Sequence, residues 1–509
     1  MIAKGIFTQA KYDLQAAIVV FLVALPLCLG IALASEAPMF SGIIAGIVGG
    51  IVVGMASGSA LGVSGPAAGL VAIVLGAKET LGSWEAFLLA GLIAGILQII
   101  AGFLRGGIIA YYFPSAVIKG ILSGIGIIII LKQIPHLLGY DISPLLTDLT
   151  NGKLSQIEDA FNNINPGVVI ISIISLALMI LWNQLIAKGY KIFKILQAPL
   201  MVVLLGLFFA WLYENKWLPF HLEAAELVQI PEFQKITDLA DAITLPDFSQ
   251  LSNLAVYRAA AVIALVASLE TLLCVEATDK LDPHKRVTPT DRELKAQGLG
   301  NIISCLVGGL PITQVIVRST ANITFGAKTK LSTILHGTFL LVCILVIPTL
   351  LNHIPLASLA AILIIIGYKL ASPSIFRQMY KMGWEQFLPF IITVIGIVFN
   401  DLLFGISIGF AVAIFIILRH NYLNSHDTRI YIEKGITYHM ELAEEVTFLN
   451  KGSIINDFKQ IPPKATLIID ANRSKYIDND VREVINNFLQ SAKIKEISVK
   501  LRGIEPCTR

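Results

Sequence analysis

The chain has 509 residues, of which 55% are hydrophobic and only 14% are charged. Soluble domains carry roughly 25% charged residues, so this composition excludes a water-soluble protein and indicates an integral membrane protein. The net charge of +3 is too small to indicate nucleic-acid binding.

Apolar runs follow one another along most of the chain. A membrane-spanning helix needs about 20 mostly apolar residues. Runs approaching that length lie at 16–34, 40–57, 85–104, 115–133, 167–187, 197–213, 257–277, 294–309, 331–350, 354–371, 385–399 and 402–418. Two shorter runs, 66–76 and 314–325, each follow a Gly/Pro break. The sequence therefore predicts fourteen membrane segments.

The charges between these segments predict their orientation. Two acidic stretches, 135–166 and 214–256, alternate with clusters of lysine and arginine. With fourteen segments and an internal N-terminus, every basic cluster falls on the cytoplasmic side, as the positive-inside rule requires. We therefore expect a multi-pass protein of the plasma (inner) membrane with both termini in the cytoplasm.

The chain changes character near residue 424. Strand-like pieces at 429–433, 466–470 and 496–500 alternate with amphipathic stretches at 452–460 and 479–493. The predicted domains are therefore an all-α transmembrane domain, 1–423, and a small cytoplasmic α/β domain, 424–509.

An internal repeat links the two halves of the membrane part. Residues 17–26 align without a gap with residues 261–270, which places Pro26 opposite Glu270. Pro66 follows Pro26 by about 40 residues, and Pro311 follows Glu270 by a similar interval. Since seven is an odd number of segments, two such halves, about 12–213 and 255–423, must be inverted relative to each other.

The two proline-opened runs predict half-helices that begin inside the membrane. Their first N–H groups and dipoles would form a positive pole suited to a small anion. The candidate anion-binding residues at these starts are Ala67, Ala68, Thr313, Gln314, Val315 and Ile316. The alternative is that Pro66 and Pro311 only kink ordinary spans.

Two charges interrupt the apolar segments. Arg318 provides a fixed cation near the predicted pole, and Glu270 provides a site for a coupling proton or cation. Alternatively, the two form a structural salt bridge. Cys274 lies one helical turn after Glu270, and Thr271 and Thr313 add hydroxyl groups to a candidate cation site at Glu270.

These residues resemble the sulfate permease (SulP) family of anion transporters. The resemblance rests on Leu25-Pro26, Ser64-Gly65-Pro66, Ser268-Leu-Glu270, Arg292-Glu-Leu294, Gln297-Gly298, Gly300-Asn301-Ile302, Gly308-Gly-Leu-Pro311 and Arg318-Ser319. It implies a core domain that moves against a gate domain, elevator-type alternating access and a homodimer. It further implies that the tail is a STAS-like domain, natural or truncated at its end.

The resemblance also implies a substrate and a coupling ion. The phrase from Leu310 to Ser319 is similar to bacterial members linked to carbonic anhydrase, which favours Na⁺-coupled bicarbonate uptake. The family's sodium site has aspartate and threonine where this chain has Glu270 and Cys274, so coupling to Na⁺ and to H⁺ both stay open. The alternatives are H⁺-coupled or exchange transport of sulfate or a dicarboxylate, and a non-transporting membrane motor or scaffold. The chain has no nucleophile, base or metal set that would predict an enzyme, and we expect no cofactor beyond the coupling ion.

Overall fold

The computed structural model describes residues 2–107, 114–139, 164–189, 193, 197–232, 242–400, 402–423, 426–431 and 437–504. Within these residues, a helix lies on each of the fourteen predicted segments, which confirms the polytopic fold. In chain order they are α1 (Ile2–Ala34), α2 (Met39–Val48), α3 (Val71–Leu81), α4 (Trp84–Phe103), α5 (Ser115–Leu138), α6 (Pro166–Ala187), α7 (Ala198–Glu214), α8 (Leu254–Leu281), α9 (Thr290–Leu306), α10 (Ile316–Thr324), α11 (Leu331–Val346), α12 (Leu356–Leu370), α13 (Trp384–Phe399) and α14 (Leu402–Leu423). Two short helices, Pro348–Asn352 and Pro373–Lys381, lie between these segments.

Several of these helices begin where a polar side chain replaces a missing intrahelical partner. Ser83 caps α4 by accepting from the Ala86 N–H, and Asn253 caps α8 by accepting from the Ala255 N–H. The half-helix α3 ends at Gly82, whose φ of +74° is a left-handed conformation that glycine adopts without strain.

The helix α2 does not stop at Val48 but continues through one π-helical turn, Gly49–Val53, and a last short turn, Gly54–Ala56. Glycines in this stretch allow very close packing. A Cβ on Gly50 would lie 2.6 Å from the Cα of Gly337 on α11, so no side chain fits between the two backbones. The π-turn therefore lies where α2 and α11 are in backbone contact.

Two short strands interrupt the helical architecture. β1 (Ser64–Pro66) precedes α3, and β2 (Ile312–Gln314) precedes α10. Pro66 lies within β1 and Pro311 lies directly before β2, so neither proline kinks a continuous helix. The interpretation of both runs as half-helices is the one that the structure supports.

The C-terminal part contains a four-stranded sheet and two helices. Its elements are β3 (His426–Tyr431), β4 (Thr437–Leu442), β5 (Glu445–Val446), α15 (Lys451–Gln460), β6 (Thr466–Asp470), β7 (Tyr476–Ile477), α16 (Asn479–Ile494) and β8 (Ser498–Arg502). The strand order is β3-β4-β6-β8, with β3 antiparallel to β4 and the other pairs parallel. Phe458 of α15 stacks on Phe488 of α16 in a core closed by buried β6 residues. This is the small α/β domain that the sequence predicts.

The chain divides into two compact bodies. One comprises residues 1–382 and 390–407, and the other comprises residues 383–389 and 408–509. The second body includes residues from the last two membrane helices, so its limits differ from the predicted domain boundary at 424. That boundary stays a prediction. Most of the first acidic stretch, 140–163, lies outside the described residues, as does 233–241 of the second.

Candidate functional site

The two strands that lead into the half-helices pair with each other. They run antiparallel, with Ser64 opposite Gln314 and Gly65 opposite Thr313, and the Val315 N–H donates to the Val63 carbonyl at 2.9 Å. Because β1 and β2 run in opposite directions, their C-terminal ends lie at opposite sides of the strand pair. The half-helices α3 and α10 therefore extend away from one shared crossing point.

Neither half-helix is capped by the side chain of its own N-cap residue, which is Leu70 for α3 and Val315 for α10. The residue Ala67 is extended and buried, and it leads through a single 3₁₀ turn, Ala68–Leu70, into α3. Val315 is extended in the same way before α10 begins at Ile316. The predicted cradle is thus made of small or apolar side chains with backbone N–H groups as its donors, as an anion site at helix N-termini requires.

One face of α8 contacts both half-helix starts. The Gly69 N–H donates to the half-buried Glu270 carboxylate, and the Ile316 N–H donates to the sulfur of Cys274. The second carboxylate oxygen of Glu270 has no hydrogen-bond partner. Glu270 and Cys274 therefore cap α3 and α10 respectively, and the Glu270 carboxylate lies at the positive end of α3.

The other polar candidates bond mainly to one another. The Thr271 hydroxyl accepts from the Gln314 N–H at 3.3 Å, and the Gln314 side chain donates to the Thr278 hydroxyl at 3.0 Å. The Thr313 hydroxyl donates to the Gln314 carbonyl at 3.3 Å. Gln314 and Thr313 are fully buried, and the bonds from Gln314 to Thr271 and Thr278 hold β2 against α8.

Arg318 is the largest fully buried side chain among the described residues. Its Nη2 lies 3.4 Å from the sulfur of Cys28 on α1, whereas Nε and Nη1 have no hydrogen-bond partner. In the described part of the chain, no carboxylate lies within 4 Å of this guanidinium, so the alternative salt bridge with Glu270 is not formed. Another unpartnered buried atom is Nε2 of His336.

Sequence reasoning missed the residues that make room for these charges. Gly65 lies directly against Nη1 of Arg318, and a Cβ on Gly69 would lie 2.6 Å from Oε1 of Glu270. Cys28 fits only because Gly46 of α2 has no side chain, since a Cβ there would lie 2.6 Å from its sulfur. The sequence offered a signal only for Gly65, in the Gly65-Pro66 break.

The described residues contain no cluster of three or more histidine, cysteine or acidic side chains that would hold a metal ion. Glu270 is a single carboxylate that accepts from the Gly69 N–H, and the Cys274 thiol lies one helical turn further along α8.

The comparisons with known proteins agree with this architecture. Residues 11–393 match the model of the sulfate permease family. YvdB of Bacillus subtilis (strain 168), provisionally named a sulfate transporter, is 25% identical over 97% of this chain and 91% of its own length. The bicarbonate transporter BicA of Picosynechococcus sp. is 29% identical over 63% of this chain, which spans only 53% of BicA.

Solved structures show the same fold. SLC26A9 superposes with a TM-score of 0.80 at 15% identity, over 98% of this chain and 85% of SLC26A9. The transmembrane domain of a cyanobacterial BicA superposes with a TM-score of 0.63 at 21% identity, over 80% of this chain and 98% of that domain. The family and these relatives are transporters and not enzymes. The chain belongs to the sulfate permease family of membrane anion transporters.

Proposed function

We propose that the protein is a secondary transporter that binds a small inorganic oxyanion between the N-termini of α3 and α10. The observation that carries this proposal is the buried Arg318 guanidinium, which has two unpartnered nitrogens and no acidic neighbour within 4 Å among the described residues. An uncompensated buried charge costs several kcal/mol, and a bound anion would offset that cost. The N-termini of α3 and α10 beside it add backbone N–H donors for the same charge.

Bicarbonate is the substrate that we favour. Two relatives are bicarbonate transporters, and the branched side chains of Val315 and Ile316 narrow the cradle, which favours a small planar anion. Sulfate is the second candidate, because YvdB matches nearly the whole chain. A dicarboxylate, and a motor or scaffold that carries no substrate, are the remaining alternatives.

For the coupling ion, the surroundings of Glu270 favour H⁺ over Na⁺. Sodium needs several oxygen ligands, by analogy with calcium sites. The carboxylate instead meets the Gly69 N–H, and the neighbouring Thr271 hydroxyl is engaged by the Gln314 N–H. The carboxylate also occupies the helix pole that an anion would use, so its protonation would free that pole for the substrate.

We further propose the setting of this transport. The protein acts as a homodimer in the plasma (inner) membrane, with both termini and the C-terminal domain in the cytoplasm. Alternating access is elevator-type, with a core domain that carries the anion past a gate domain. A functional link to a carbonic anhydrase follows if the substrate is bicarbonate.

Arg318→Ala tests the anion site. A cation a few ångströms from a partly desolvated anion contributes a few kcal/mol, so we expect anion binding at least tenfold weaker in purified protein. Proteoliposome uptake of labelled bicarbonate, in competition with sulfate and fumarate, identifies the substrate. Unchanged affinity in a folded Arg318→Ala variant would show that the guanidinium has only a structural role.

Glu270→Gln tests the coupling site, because it keeps the side chain's size and removes its charge. We expect the variant to lose pH-driven accumulation while it still exchanges or binds the anion. Uptake is measured with a pH gradient, with a sodium gradient and with neither. Wild-type pH dependence in the variant would exclude Glu270 as the proton site, and sodium-driven uptake by the wild type would restore Na⁺ as the coupling ion.

A further inference from the structure

The helix α9 carries a row of polar side chains inside the membrane part. Glu293, Gln297 and Asn301 are spaced four residues apart and therefore share one helix face. All three are fully buried. Polar groups at such depth are expensive unless they are hydrogen-bonded or functional, so their partners indicate what the row does.

Asn301 acts on β2. Its Oδ1 accepts from the Ile312 N–H at 2.5 Å, and its Nδ2 donates to the Ile312 carbonyl at 3.1 Å and to Oε1 of Gln98 at 2.7 Å. The amide thus bonds both backbone groups of Ile312, as a neighbouring strand would. A side chain without both a donor and an acceptor cannot replace it.

Gln297 acts on β1. Its Nε2 donates to the Ser64 hydroxyl at 2.7 Å and to Oε1 of Glu293 at 3.0 Å. The other Glu293 oxygen accepts from the Ser57 hydroxyl at 2.5 Å and from the Gly58 N–H at 3.1 Å. The carboxylate fixes the orientation of the Gln297 amide, because the opposite orientation would place two acceptors against each other.

We propose that Glu293, Gln297 and Asn301 are positioning residues that set the register between β1 and β2, and thereby the spacing of the two half-helix N-termini. The inference rests on the proposed anion site. Ser64 lies three residues before Ala67, and Ile312 lies four before Ile316. A slip of one residue would move a helix start by about 3.3 Å, which is as long as the hydrogen bonds that hold the anion.

The first test compares Gln297→Ala and Asn301→Ala with Ser123→Ala. Ser123 is also fully buried, and its hydroxyl donates to the Leu370 carbonyl at 3.0 Å, between α5 and α12. We expect all three variants to lower the melting temperature similarly, but only the α9 variants to raise KM for the anion, by at least tenfold. An unchanged KM in folded α9 variants would overturn the inference.

A double-mutant cycle separates positioning from general destabilisation. If Gln297 acts through Ser64, then Ser64→Ala should raise KM as Gln297→Ala does, and the double variant should be no worse than either. Additive effects would overturn the proposed route through Ser64. Gln297→Met, which is of similar size and has no donor for Ser64, should not restore the wild-type KM, and full restoration would also contradict the route.

A readout without transport distinguishes this inference from the proposed function. Ser64 and Gln314 are directly opposite, and such Cα atoms lie within disulfide range. A Ser64→Cys/Gln314→Cys protein should form a disulfide on mild oxidation, identified by mass spectrometry. Adding Asn301→Ala should slow its formation at least tenfold, whereas adding Ser123→Ala should not. Equal rates would overturn the inference even in a protein that binds anions, and a protein that binds none would overturn only the proposed function.

Discussion

The glycines beside the candidate site matter because of the side chain each lacks. Gly65 leaves space for the end of the Arg318 guanidinium, and Gly69 leaves space for the Glu270 carboxylate. Both charges therefore lie against the backbone of the segment from β1 to the start of α3, here called the β1–α3 segment. The positions of these charges therefore depend on the backbone of the β1–α3 segment as much as on the charged residues themselves.

Gly65→Ala should reproduce much of the defect of Arg318→Ala. The new methyl group would overlap Nη1 of Arg318 and push the guanidinium from its place. Anion binding, measured by calorimetry, should weaken at least fivefold, since one lost charged hydrogen bond is worth about 1.5–3 kcal/mol.

Gly76→Ala is the matched control for this variant. Gly76 lies further along α3, and an added Cβ there meets nothing within 4 Å. This variant should bind as the wild type does and gain up to about 1 kcal/mol in stability. Equal binding by the Gly65 and Gly76 variants would mean that the position of Arg318 does not matter.

At this scale the sequence showed which residues are unusual but not what they contact. Glu270 and Arg318 could be found because charges are rare in apolar runs, while their salt bridge, one of two open alternatives, is not formed. The side chain of Gln314 donates to Thr278, about two helical turns from Glu270, and no periodicity indicates that contact. Distances between segments that are far apart in sequence decide these points.

At the scale of the elements, the loop between α8 and α9 contains a charged pair, Asp282 and Arg286. Arg286 binds Asp282 through Nε at 2.6 Å and Nη2 at 3.2 Å, and its Nη1 donates to the Lys328 carbonyl at 3.1 Å. Although burial raises it, the pKa of Asp282 is lowered on balance by hydrogen bonds from Arg286 and the His284 N–H and by the guanidinium charge. The loop is thereby tied to the segment that follows α10.

Asp282→Asn should lower the free energy of unfolding by roughly 1–2 kcal/mol at pH 7, because the charged hydrogen bonds to Arg286 are lost. The loss stays this small because Arg286 is partly exposed and water screens its charge. A carboxylate with a lowered folded-state pKa stabilises the protein above its unfolded pKa, and this contribution is lost as pH falls through the folded pKa. Thermal unfolding at a series of pH values should therefore show variant and wild type converging in acid. A constant gap at all pH values would contradict the role of the charge.

Element boundaries were predictable wherever hydrophobic pattern and helix punctuation agreed. The segments at 85–104 and 402–418, and the strand at 466–470, lie within a few residues of the observed α4, α14 and β6. The pairing of β1 with β2 was not predictable, because each has three residues and the partner is distant in sequence. β4 was missed although Met440 and Leu442 alternate with more exposed residues, the expected pattern of a half-buried strand.

At the scale of the whole molecule, we expect a homodimer. The C-terminal sheet ends in β3 on one side and β8 on the other, and exposed strand edges favour pairing with another chain. Native mass spectrometry in mild detergent and in nanodiscs should give twice the chain mass. A monomer in both would exclude the dimer.

The pairing of β1 with β2 also constrains the order in which the chain can be built. Ser64 leaves the ribosome about 250 residues before its partner Gln314, which at roughly 5–20 residues per second is a delay of about ten to fifty seconds. During that time the backbone groups of β1 have no strand to bond in the bilayer, where each unsatisfied group costs several kcal/mol. The third segment therefore cannot reach its final place until the tenth has entered the membrane. The two repeats share a pattern, but the first cannot mature without the second.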